Sequence, residues 1–321
     1  MQKYFFIIPL LFIQITNVLS GELLEVEKRI TNVYKDTVPS VVNVANIKFA
    51  DSFFYGKVEV PQGTGTGFVW DEKGHIVTNF HVVQGGNSFV VTFHNNKKQY
   101  KADVVGIAPK QDIAVLKLKE LPPNLKPIRI GSSSNLQVGQ IALALGNPFG
   151  FDHSLSKGII SAVGRKIDGI GGVKIHDMIQ TDASINQGNS GGPLLNSTGE
   201  LIGVNTMIVS RSGSSAGLGF AVPIDSVKRI TPQLIEHGKV IRPGLGIGVL
   251  ENHVRERYVG KKGVALSFVD PDGPAGQAGL KGMMRDRFGR IYIGDVILKI
   301  NKNEVNSLDE VYHQLGRYKI G

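Results

Sequence analysis

The sequence predicts a mainly β protein. Three observations carry that expectation. Short apolar runs recur along the chain with turn-forming residues between them. Of the 321 residues, 40 are glycine and only 7% are aromatic, which suits a chain that turns often and tightly. Helical spacing, in contrast, is confined to a few stretches. Strands this short, with turns this regular, indicate a barrel or a sandwich.

In chain order, Glu22 to Val38 carries Leu23, Val26, Ile30 and Val33 at helical spacing and reads as a surface helix ended by Pro39-Ser40. Val41 to Ile47 is a strand. Lys48 to Gln62 reads as a loop whose aromatics, Phe53, Phe54 and Tyr55, suit packing, a protomer contact or a mobile segment. Gly63 to Trp70 superficially resembles a dinucleotide loop. Phe68 occupies the place of the third glycine and no helix pattern follows, so a glycine-bearing strand is expected. Asp71 to Gly74 is a hairpin turn and His75 to Thr78 the return strand. Further strands are expected over Phe89–Phe93, Lys101–Ile107, Ile141–Leu145, Ser156–Ser161, Leu201–Asn205 and Leu218–Val222. Asp225 to Gly238 is helical, with Asp225 as cap and a kink or restart at Thr231-Pro232. Arg242-Pro243 marks a boundary. Beyond it come a strand over Gly263–Val269, a short helix from Pro274 to Leu280, a strand over Gly294–Ile300, and a helix from the cap Ser307 to Leu315.

Composition narrows the function. The apolar fraction is 41% and the charged fraction 20%, enough for a sizeable core and against wholesale disorder. The net charge of +9 is scattered, without the clustered stripe or aromatic interleaving that nucleic-acid binding requires. With no cysteine, thiol catalysis, disulfides and Cys-ligated zinc are excluded. Met1-Gln2-Lys3, the apolar run Tyr4–Ile15 and Val18-Leu19-Ser20 read as a secretory signal peptide, residues 1–20, cleaved before Gly21; an uncleaved anchor is the lesser alternative. The expected location is therefore periplasmic or otherwise exported.

The most informative stretch is Thr181 to Leu194. Ser190 stands there in Gly188-Asn189-Ser190-Gly191-Gly192-Pro193. Flanking glycines let a loop turn sharply and another group approach closely. A serine nucleophile needs that setting, with N–H groups of Gly188, Asn189 and Ser190 available for a developing oxyanion. It also needs a base and a carboxylate to orient the base. His81 ends a strand in Thr78-Asn79-Phe80-His81, ahead of an apolar turn. Asp112 stands at the mouth of the apolar strand Ile113–Leu116. An aspartate there either caps a turn or, buried, accepts the ring N–H of His81.

These three motifs, in the order His81, Asp112, Ser190, resemble those of the HtrA (Deg) serine proteases, and the resemblance covers Glu22 to Gly321. It implies a chymotrypsin-like double β-barrel over residues 21–240, followed by a PDZ domain (α+β) over 241–321. By the same resemblance His81 is the base, Asp112 its orienter and Ser190 the nucleophile. Ile185 and Ile208 match positions lining an apolar pocket for the residue before the cleaved bond. Lys166–Asp177 and Met207–Gly217 match activation loops, and Gly244-Leu245-Gly246-Ile247 a carboxylate-binding loop for peptide C-termini. Arg285 to Arg290 resembles an insertion of single-PDZ members of the cyanobacterial and plastid type. Family PDZ domains continue with further strands, whereas Lys319-Ile320-Gly321 is a turn, so an incomplete PDZ domain is expected. The implied function is ATP-independent endoproteolysis of unfolded proteins in the cell envelope, by homotrimers or multiples of them, without metal or cofactor. Alternatives are a chaperone or peptide-binding protein that rarely cuts, and a regulatory protease with one partner.

Overall fold

A computed structural model describes residues 22–318 except 53–55, 97, 149–152, 169–173, 187, 207–216 and 242. The antiparallel ladder of β1 (Val41–Ser52), β2 (Gly56–Val69), β3 (His75–Thr78), β4 (Ser88–Phe93), β5 (Gln99–Ala108) and β6 (Ile113–Leu118) closes on itself in the order β1-β2-β3-β6-β5-β4. A second ladder, β7 (Ile141–Gly146), β8 (Ser154–Asp168), β9 (Lys174–Thr181), β10 (Pro193–Leu195), β11 (Leu201–Thr206) and β12 (Gly219–Pro223), closes as β10-β11-β12-β9-β8-β7. This is the double barrel the sequence led us to expect. Closure gives every strand of each barrel a neighbour on both sides.

Each barrel has its own apolar interior. Val44, Ile76, Val91 and Leu116 fill the first. Ala142, Ile160, Ile179 and Leu194 fill the second. A third cluster joins them: Phe68, Val77 and Val115 of the first barrel meet Leu143, Met178 and Val204 of the second, and Val227, Ile230 and Leu234 of helix α3 (Ile224–His237) seal it. The barrels are thus locked by burial, which stabilises by roughly 25 cal/mol per Å² of apolar surface removed from water. Helix α1 (Glu25–Thr37) lays Val33 on the same cluster.

Three expectations are corrected. The segment 48–62 is not a loop: β1 and β2 run on as a paired arm, with Lys48 opposite Val60 and Ser52 opposite Gly56. Residues 48–50 are exposed, so no buried face imposes the apolar alternation by which strands are read. The aromatics at 53–55 lie outside the described residues. Asp225 does not cap α3, whose N-cap is Pro223. It sits in the first turn instead, accepting the Ser133 N–H and the Ser132 and Ser133 hydroxyls. Pro232 neither ends nor restarts α3, which continues to His237 and stops at Gly238 with φ +71°.

After residue 243 the elements are short. The strand Val264–Val269 pairs with Ile247–Val249 and with Val296–Ile297. The strand expected over Gly294–Ile300 divides, since Lys299–Ile300 turns to pair with Asn303–Glu304. The Arg285–Arg290 segment forms a hairpin of Met284–Arg285 with Ile291–Tyr292. A helix over Asn252–Tyr258, unseen in its polar sequence, is held by Arg255, which is buried and donates to the Gly263 carbonyl at 2.6 Å and the Lys261 carbonyl at 2.8 Å. Ser307 caps the last helix, Leu308–Leu315, as expected.

Candidate active site

The site is built at the seam between the barrels. Strands β3 and β6 are neighbours, with Thr78 opposite Ala114, so the residue just after β3 and the one just before β6 are brought together. His81 lies in the one-turn helix α2 (Phe80–Val83). Asp112 enters β6 with φ +53°, in the left-handed region that aspartate tolerates better than most residues. That conformation turns its carboxylate back toward His81. Its Oδ2 lies 2.8 Å from His81 Nδ1, and its Oδ1 accepts the His81 backbone N–H at 3.0 Å. The Thr206 hydroxyl donates to the same Oδ2 at 2.6 Å, and Asn79 Nδ2 donates to the Asp112 carbonyl at 2.8 Å. Asp112 is 6% exposed, and these donors compensate its buried charge. A carboxylate on Nδ1 fixes that nitrogen as the N–H and leaves Nε2 as a lone-pair acceptor.

Ser190 comes from the other barrel, on the loop from β9 to β10. The loop is tied across the seam: Thr66 N–H of β2 donates to the Ser190 carbonyl at 2.9 Å, and the Thr66 hydroxyl to the Gly188 carbonyl at 2.6 Å. Gly191 has φ +83°, and a Cβ there would meet the Thr66 carbonyl at 2.2 Å and the Thr78 hydroxyl at 2.3 Å. Only glycine fits this approach. Gly188 has φ +108°, and a Cβ there would strike Pro148 at 2.2 Å. Ser190 is 4% exposed, yet its Oγ is buried with no hydrogen-bond partner among the described residues. A buried hydroxyl left unpaired costs about 1–3 kcal/mol. No hydrogen bond joins it to His81. In sites without substrate such bonds are often long and tighten only in the complex.

The three expected oxyanion donors differ in state. Asn189 N–H donates to the Asn186 carbonyl at 3.2 Å. Ser190 N–H has no acceptor among the described residues. Gly188 brings its N–H to the same turn, and its carbonyl is held by Thr66. Ile185 is 5% exposed and belongs to the second barrel's apolar cluster; a Cβ on Gly219 would meet its Cγ1 at 2.5 Å. Ile208 lies outside the described residues, as does most of the segment 207–217. In the C-terminal segment, Leu245 packs on the cluster of Val264, Val305 and Val311. Gly246 has φ +68°, its carbonyl accepts the Asp270 N–H at 2.8 Å, and Ile247 pairs with Val269.

Thr66 and Thr206 escaped the sequence reading. The only signal for Thr66 was its place between Gly65 and Gly67, and for Thr206 its place at the end of an apolar strand. Asn43 was also missed. It donates to the Asn147 carbonyl at 2.9 Å while the Asn147 N–H donates to the Thr66 hydroxyl at 2.8 Å. Together these side chains fix the height of one barrel's loop against the other.

Two closed barrels that meet at a seam are the architecture of the trypsin-like serine peptidases, and His81, Asp112 and Ser190 lie on elements that border that seam. The family model for the trypsin-like peptidase domain matches residues 65–204. Protease Do-like 1 of Arabidopsis thaliana, a chloroplastic protein, is 46% identical over 290 residues, 90% of this chain and 66% of its own. Protease Do-like 8 of the same plant is 39% identical, covering 94% of this chain and 70% of its own. The chain spans about half of bacterial relatives such as the probable periplasmic serine endoprotease DegP-like of Halomonas elongata, with 39% identity over 53% of that protein. Among solved structures, the HtrA-type protease AlgW with a decapeptide superposes with a TM-score of 0.69 at 34% identity, over 90% of each chain. The chain belongs to the HtrA-type, or Do-like, family of serine endopeptidases.

Proposed function

We propose that the chain is an ATP-independent endopeptidase that degrades unfolded or damaged proteins in an exported compartment, with His81, Asp112 and Ser190 as its triad. The reading is supported by the buried, doubly supported carboxylate of Asp112 on His81 Nδ1, together with a serine hydroxyl that is buried and unpaired among the described residues. His81 Nε2 takes the Ser190 proton as Oγ attacks the peptide carbonyl. The Oγ–C bond forms and the carbonyl π electrons move to oxygen. Gly188 and Ser190 N–H groups receive the oxyanion, a contribution of about 3–4 kcal/mol per donor in related chemistry. The imidazolium then returns its proton to the leaving amine. Water, deprotonated by His81, releases the acyl-enzyme. Asp112 keeps the tautomer and stabilises the imidazolium throughout.

Ile185 and Ile208 select the residue before the cleaved bond, favouring Val, Ile, Ala or similar. Segments 166–177 and 207–217 order the site when substrate binds; the unpaired Ser190 hydroxyl marks the site at rest. Residues 1–20 act as the signal peptide, and among the described residues no helix is long and apolar enough to cross a membrane. Residues 241–321 act as a PDZ domain that takes peptide C-termini at Gly244–Ile247. The protein works as a homotrimer, as a monomer by light scattering would disprove.

Digestion of casein by the chain from Gly21, beside Ser190→Ala, tests the reading. Cleavage by the first alone, with cut sites after small or medium apolar residues, is expected. No cleavage by either protein, with heat aggregation of a client still suppressed, would replace the endopeptidase by a chaperone.

A further inference from the structure

A cavity of about 550 Å³ opens between α3, the start of β9 and the last helix, Leu308–Leu315. Its wall holds four side chains of full positive charge, Lys110, Lys174, Arg229 and Arg317, against one carboxylate, Asp309. Two of these are answered. Lys110 lies 3.4 Å from Asp309, and Arg317 lies 2.7 Å from Asp177 just behind the wall. Arg229 is different. Among the described residues it has no carboxylate partner, and its only hydrogen bond to a side chain is a 3.4 Å contact with Ser226. Burial and the nearby Arg317 guanidinium both work against its charge, while Asp177 and Asp225 favour it only from a distance. Arg229 is thus left with an unmet demand for negative charge, since Asp309 and Asp177 already pair with Lys110 and Arg317. The floor is apolar, from Ile175, Val222 and Ile230, so an occupant would leave bulk water and its charge would be screened weakly.

We propose that this cavity is a binding site for a small multivalent oxyanion, held by Arg229 and Arg317 and flanked by Lys110 and Lys174. Guanidinium forks match paired phosphate or carboxylate oxygens, and the two arginines come from different elements, Arg229 from α3 and Arg317 from the turn that follows the last helix. An occupant therefore bridges the peptidase barrels and the C-terminal segment. It would act as a ligand that strengthens their contact, independently of the proteolytic reading.

Isothermal titration of the Ser190→Ala chain at low ionic strength tests this, with inorganic tripolyphosphate in one arm and citrate in the other. Saturable one-to-one binding of at least one anion is expected, and the preferred arm separates a phosphate site from a carboxylate site. Arg229→Gln should weaken it by about tenfold, the loss of one charge-assisted contact. Lys174→Gln, also in the lining, should weaken it less, and serves if Arg229→Gln does not fold. Arg257→Gln, on the exposed Asn252–Tyr258 helix, should leave it unchanged. No saturation by either anion, or equal weakening by Arg257→Gln and Arg229→Gln, would overturn the site and reduce the effect to the general charge of +9.

Discussion

The two barrels and the segment after residue 243 are made from the same kinds of residue but not held in the same way. In the barrels, ladders close, and Phe68, Ile76, Leu143 and Leu194 are fully buried. After residue 243 the sheets have two or three strands, and the core rests on three buried valines, Val264, Val305 and Val311. Phe268, Phe288, Ile291 and Tyr292 are exposed there. A short ladder buries little surface per residue and leaves edges open, so its stability depends on what it docks against. Chemistry that must hold atoms to a fraction of an ångström sits at the seam of the closed barrels. The looser segment meets them through ion pairs: Asp177 with Arg317 and His313, and Lys166 with Glu310 at 2.7 Å.

The contrast can be broken at several points. The largest effect is at the seam. Ser190→Ala should lower kcat/KM on casein by about 10⁴-fold or more while leaving the melting temperature within a degree or two. A variant that kept more than a few per cent of activity would place the nucleophile elsewhere. Next is the joint core. Leu143→Ala should cost about 4 kcal/mol and lower the unfolding midpoint reported by Trp70 fluorescence. Leu315→Ala, in the C-terminal cluster, should leave the Trp70 transition in place and shift only hydrogen exchange after residue 243. If both shifted Trp70 together, the two regions would be one cooperative unit.

Smaller is the loss of Thr206. Thr206→Val removes a donor to Asp112 Oδ2 without changing side-chain shape, and should lower kcat about tenfold with KM held. Thr206→Ser should restore most of the rate. A purely structural threonine would instead show equal loss of stability in Val and Ser variants with kcat unchanged.

The smallest effect concerns pH at the contact between regions. Hydrogen bonding to His313 leads the causes that bring the Asp177 carboxyl down to about 2, with burial opposing it and the charges of His313 and Arg317 assisting. The carboxyl is thus lower in the docked state than its free value of about 3.9. A depressed acid stabilises above its free value and loses that contribution as pH falls toward its depressed one. The contact should therefore be intact at pH 5 and weaken between about pH 4 and 2. Hydrogen exchange over 308–315, corrected for intrinsic rates, should quicken across that window in the native chain and less so in Asp177→Asn. Equal acceleration in both would remove Asp177 from the contact.

Much of this was legible beforehand. Periodicity and turn residues determined that the chain would be mainly β, because short apolar runs between glycines have few other ways to be buried. The spacing of Gly188 to Pro193 singled out Ser190, since few backbones other than a catalytic loop need glycine on both sides of one serine. The helix starting after Ser307 was fixed locally by its cap. Other features depend on neighbours distant in sequence. The arm pairs Lys48 with Val60 while residues 48–50 stay exposed, so it left no alternation to read. Thr66 and Thr206 became visible only once β2 and β11 met the loops of Gly188 and Asp112. Arg229 and Arg317 are ordinary surface residues in sequence; their shared cavity exists because α3 and the end of the chain's last helix line one pocket. Local preference is written in adjacent residues, while hydrogen bonds across a seam and charges across a cavity are decided by which strands and helices the closed barrels bring together.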